Sequence, residues 1–136
     1  MSDNNLLLRA LRMNAVFSGS SALMLVLVGP WVTAQLGLAS VIPVYVTAGL
    51  LMVFALQLWN IVRTREIRPP EIAAIIAGDF AWVIGSVVMV ALYYRSLTAA
   101  GLLLVDIVAI AVLYFAIQQI RGFRAFRRGA GADAAT

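Results

Sequence analysis

The sequence predicts an all-α integral membrane protein built as a bundle of four transmembrane helices, and three observations carry that expectation. Apolar side chains make up 63% of the 136 residues and charged ones only 12%, about half the charged share that a soluble domain uses for its surface. The charges are also segregated, with none between Arg12 and Arg63. A chain this short has too little interior to hide such a stretch from water, whereas a bilayer supplies an apolar solvent from outside. Finally, the apolar residues fall into four runs of about 20–25, each long enough at ~1.5 Å per residue to cross ~30 Å of hydrocarbon.

The first span is expected over 5–29, closed by Gly29-Pro30, with Trp31 to Leu38 as a short amphipathic stretch at the interface. The second runs over 41–62 and tolerates Pro43, because a first-turn N–H has no helical partner to lose. The third, 71–94, opens after Pro69-Pro70 with Glu71, a favourable charge at a helix N-terminus. The fourth covers 97–120. Residues 1–128 thus read as one membrane domain, and the Gly/Ala-rich stretch 129–136 as a disordered tail. Arg9 and Arg12 before an apolar run, with Val32-Thr33-Ala34 after Pro30, also have the look of a cleavable signal peptide. The arginine-rich loop between spans two and three fits the uncleaved, four-span arrangement.

Orientation follows from the arginines. Nine of the ten flank the spans on one side, and Arg95 stands alone on the other. The positive-inside rule puts the nine, and both termini, in the cytoplasm; a bacterial inner membrane is the expected location. Arg121, Arg124, Arg127 and Arg128 are expected to rest on anionic headgroups as a surface anchor, or to act as a plain topology signal. The basic residues form no aromatic-interleaved patch, so nucleic acid is not an expected partner despite the net charge of +4.

With no cysteine and no histidine, thiol chemistry and the commonest haem, zinc and general-base ligand are excluded. No cofactor or metal is expected, and no nucleophile–base pair is visible.

The informative residues are two carboxylates inside the spans. Asp79 lies ~12 Å along its helix from Glu71, with Trp82, Ser86 and Tyr93 near its face. It is expected to be held by Arg12 and Asn14 across a helix interface, either as an internal clamp or as part of a transport path. Asp106 sits deep in the fourth span with no arginine in the neighbouring turns. The expectation there is a hydrogen bond with Tyr45, Thr47 or a backbone carbonyl, although a proton- or cation-exchanging carboxyl would look the same. Gln57, Gln118, Gln119 and Asn60 cluster at the cytoplasmic ends of spans two and four, where amides can glue helices together.

Small residues repeat at helical spacing. Ala74, Gly78, Ala81 and Gly85 share one stripe of span three; Ala15 with Gly19, and Ser18 with Ala22, do the same in span one. Such stripes let helix backbones approach closely, and are expected to form tight seams within the bundle. The fold is further read as two parallel, duplicated helical hairpins. Phe54-Ala55-Leu56-Gln57 matches Phe115-Ala116-Ile117-Gln118, Asn14 matches Asp79, and Gly19-Ser20 falls within a residue of Gly85-Ser86.

Minimal loops and small-residue seams favour a non-catalytic accessory or structural subunit, docked against other membrane subunits or self-associated. A small homo-oligomeric transporter or channel using Asp106 and Asp79 is the alternative, and a lipid- or quinone-binding module the third reading.

Overall fold

A computed structural model describes residues 3–133, with side-chain environments for 5–131. Its four helices are α1 (Asp3–Gln35), α2 (Ile42–Thr64), α3 (Pro69–Tyr93) and α4 (Ala99–Asp133). All four are long and apolar enough to cross a membrane. The protein is a multi-pass, all-α membrane bundle.

Helix boundaries follow local chemistry. Pro30 does not end α1, as the sequence reading has it, but bends it. Its ring has no N–H for the preceding turn and crowds that turn's carbonyl. The backbone at Val28 leaves the helical range (φ −113°, ψ 18°), and the helix resumes to Gln35, taking in part of the expected interfacial stretch. The Thr33 hydroxyl donates back to the Gly29 carbonyl at 2.8 Å, the i to i−4 side-chain bond that commonly accompanies a helix bend. α2 closes with Arg65 in the left-handed region (φ 57°), its N–H donating to Ile61 O at 2.8 Å. α3 opens on Pro69-Pro70, where missing N–H groups cost nothing. Thr98 caps α4, its hydroxyl accepting from the Gly101 N–H at 3.0 Å. The same residue ties α4 to the end of α1, since Thr98 N–H donates to Gln35 O at 3.0 Å.

α1 packs against both α2 and α4, and α3 packs against α4 while reaching α1 through Asp79 and the buried core. The apolar core lies at the arginine-rich end, where Leu7, Leu11 and Ala15 of α1 meet Leu58, Ile61, Ile72 and Ile75. Here α2 and α3 also touch, with Gln57 Nε2 3.5 Å from Glu71 Oε1. Gly78 and Gly85 follow Glu71 by two and four turns on nearly the same line. A Cβ built on either glycine would meet no atom of another helix within 4 Å. α2 and α3 therefore part company beyond their contact at Glu71. The two flanks between the hairpins therefore differ: α1 packs on α4, whereas α2 and α3 meet at the arginine-rich end.

α4 does not stop at the membrane boundary expected near 120. It runs on as helix through Asp133, so 129–133 are helical where the sequence reading places a disordered tail; 134–136 lie outside the described residues. Phe123 and Phe126 of this extension pack on the apolar core. Gly122 is buried beneath α1: a Cβ there would lie 2.7 Å from Leu7 Cα and 2.8 Å from its N. Backbone cannot yield as a side chain can, so Gly122→Ala is expected to destabilise the purified protein by about 1–3 kcal/mol. Gly78→Ala, in open space, should be neutral or mildly stabilising through helix propensity. Thermal unfolding of the two variants in one detergent checks both.

Candidate functional site

Apart from Thr33 at the bend of α1, the buried polar residues gather in one cluster next to the apolar core. Asp79 is 4% exposed and Asn14 and Gln119 are fully buried. Asn14 Nδ2 donates to Asp79 Oδ2 at 2.8 Å, and Gln119 Nε2 donates to the same oxygen at 3.0 Å. Ser18, one turn beyond Asn14 on α1, donates its hydroxyl to Asn14 Oδ1 at 3.1 Å. That bond holds the Asn14 amide with its nitrogen toward the acid, since the oxygen is already engaged. The result is a chain Ser18–Asn14–Asp79–Gln119 drawing on α1, α3 and α4.

Each member is placed by ordinary helical spacing. Asp79 follows the buried Ile72 and Ile75 by seven and four residues, so the face that buries those leucine-sized side chains also buries the acid. Gln119 continues the buried line of Val112 and Ala116 at steps of four and three. Hydrogen bonds between membrane helices contribute about 0.6 kcal/mol on average and up to ~1.7, so the two amides offset part of the cost of putting a carboxylate here. Two buried polar atoms nearby have no hydrogen-bond partner, Gln119 Oε1 and Trp82 Nε1. Ser86, on the same face, spends its hydroxyl on the Trp82 carbonyl at 2.8 Å.

Arg12 does not take part, which corrects the expected ion pair. Its side chain is exposed, and the only salt bridge among the described residues is Arg68–Glu66 on the surface. A guanidinium gains more from headgroups and water than from a buried site already filled by amides. Gln119 was expected only as general helix glue. The Phe-Ala-x-Gln match drew attention to Gln57 and Gln118, whereas the stripe through Val112 and Ala116 points to Gln119.

Asp106 stands apart. Seven residues into α4, it is exposed on the flank of the bundle. It lines a cavity of about 320 Å³ with Ala109 of α4 and Ser86, Val87, Val90 and Ala91 of α3. Neither expected hydrogen-bond partner reaches it, because α2, which carries both, packs on α1 and not on α4. The Tyr45 ring instead lies against Gly29 at the α1 bend, and Thr47 is half-buried on α2.

The small-residue stripes divide. Gly19 faces Ala55 of α2, with 3.6 Å between a Cβ built there and the alanine Cβ, and Ala15, Ser18 and Ala22 are buried. Ala74, Gly78, Ala81 and Gly85 are all exposed and form no seam within the bundle. α3 has one orientation to choose. Turning Asp79 to its amide donors leaves this stripe more than a quarter-turn away, facing outward. Arg121, Arg124, Arg127 and Arg128 are exposed along the α4 extension.

No protein-family model matches the chain, and neither a curated protein nor a solved structure is detectably similar to it.

The geometry makes the polar chain a tie across three helices. A double-mutant cycle on Asn14→Ala and Asp79→Ala is expected to give a coupling of about 1–2 kcal/mol, near the top of the range for hydrogen bonds between membrane helices. The Arg12→Ala and Asp79→Ala cycle should give none. Unfolding in mixed micelles reads both.

Proposed function

We propose that this membrane protein is a non-catalytic accessory subunit that holds other transmembrane helices in an assembly of a bacterial inner membrane, with both termini cytoplasmic. The observation that carries the reading is the outward face of α3. Ala74, Gly78, Ala81 and Gly85 are exposed along more than two turns, with nothing of the chain within 4 Å of either glycine's missing side chain. Helices in lipid associate by close van der Waals packing rather than by a hydrophobic drive, and a small-residue face allows the closest approach. Lipid gains nothing specific from such a face; another helix does.

The burial of Asp79 supports this reading over transport. The acid is engaged by two amides from neighbouring helices, the arrangement of a clamp, and it leaves the outward stripe free for docking. Native mass spectrometry of the protein, released gently from its own membrane, is expected to show a second kind of chain in fixed ratio. Gly78→Ile and Gly85→Ile, which add bulk in open space, should remove that chain without lowering thermal stability. Release of the protein alone or only with copies of itself, together with proton flux in liposomes that Asp106→Asn abolishes, would overturn the reading in favour of transport.

A further inference from the structure

In the half of the bundle away from the arginine-rich end, charge is almost absent. Between Arg12 and Arg63 there is none, and between Asp79 and Arg121 there are two charged residues only, Arg95 and Asp106. They are of opposite sign, both are exposed, and they are not paired with each other. Arg95 is occupied only by its neighbour: its Nε donates to the Tyr94 hydroxyl at 2.9 Å and its guanidinium lies 5.7 Å from that ring. Asp106 has no hydrogen-bond partner among the described residues and opens into the α3–α4 cavity.

A carboxylate inside a span costs roughly 2.5–3.5 kcal/mol on insertion scales, and such residues normally face protein rather than lipid. On the flank of α4 that cost falls on the isolated bundle for as long as nothing covers it. A permanent neighbour relieves it better than a ligand that comes and goes. Depth identifies the neighbour. Ala91, on the α3 wall of the cavity, precedes Arg95 by four residues, or ~6 Å along the axis, a separation that an arginine stem spans. All copies of one chain insert the same way, so each copy brings an arginine to the level at which another exposes its acid.

We propose that the α3–α4 cavity seats a second copy of this chain, in a twofold dimer in which Arg95 of each copy pairs with the partner's Asp106. The twofold axis runs along the membrane normal, so the contact is made twice. Ala91 and Ala109, small residues on the two walls, let the partner's helix come close. This interface lies on the flank shared with α4 and uses none of the outward stripe at Gly78, so it goes beyond the docking role and stands or falls separately from it.

The chain contains no cysteine, so single-cysteine variants report the contact directly in membranes. Ala91→Cys is expected to form a disulfide-linked dimer on oxidation, and Leu50→Cys, on the exposed face of α2, is not. Adding Arg95→Gln or Asp106→Asn should each lower the Ala91→Cys cross-link about tenfold, equivalent to about 1.4 kcal/mol. The deciding measurement mixes the two. A differently tagged Arg95→Gln copy co-expressed with an Asp106→Asn copy keeps one of the two ion pairs, so the mixed dimer should form several-fold more than either variant with itself. Equal yields for mixed and unmixed pairs, or no Ala91→Cys dimer, would overturn the proposal, as would a cross-link to a different chain. Gly78→Ile should leave this cross-link unchanged, which separates its failure from failure of the accessory-subunit reading.

Discussion

A carboxylate in hydrocarbon costs roughly 2.5–3.5 kcal/mol by insertion scales, several times what a single hydrogen bond between membrane helices contributes on average. The rotation of α3 therefore follows from where Asp79 finds its donors. Those donors are Asn14, held in register by Ser18, and Gln119. Because they come from α1 and α4, satisfying one acid sets the relation of three helices at once. The apolar core below it, from Leu7 to Ile75, fills the space that this arrangement leaves at the arginine-rich end.

The outward turn of Ala74, Gly78, Ala81 and Gly85 is a consequence of the same constraint. A helix cannot present its acid and its small-residue stripe to the same neighbour when they lie more than a quarter-turn apart. The van der Waals gain at the stripe is the one given up inside the bundle. The parting of α2 from α3 beyond Gln57 and Glu71 belongs to the same geometry. Asp106 shows the complementary case. No amide of a neighbouring helix reaches it, and the chain leaves it on a flank, beside a cavity that its own residues do not fill.

Much of the site was legible residue by residue. The pairing of Asn14 with Asp79 could be read from their equal depth, and their hydrogen bond is 2.8 Å long. Arg12 is not beside them: it is exposed, where a guanidinium can keep its hydration at no cost in desolvation. Gln119 was hidden by its neighbour Gln118, because the repeat match weighs letters whereas burial follows helical phase. Tyr45 and Thr47 stand on α2, which packs on α1 and not on α4, and a sequence does not say which helices are adjacent.

The sequence by itself determined that there are four spans and roughly where each lies, because hydrocarbon thickness and backbone hydrogen bonding act on each segment separately; that α1 bends at Pro30 rather than ending there, and that α4 continues to Asp133, came only with the structure. It also determined that Asp79 had to face protein, since the cost of an acid in lipid is local. Only the tertiary structure decided which donors meet that acid, which stripe is left outside, and which flank stays open. The reason is physical. In water a helix announces its inner face by an apolar stripe, but in a bilayer every face is apolar, so helix rotation is set by a few polar groups and by close packing that exist only once the helices are together.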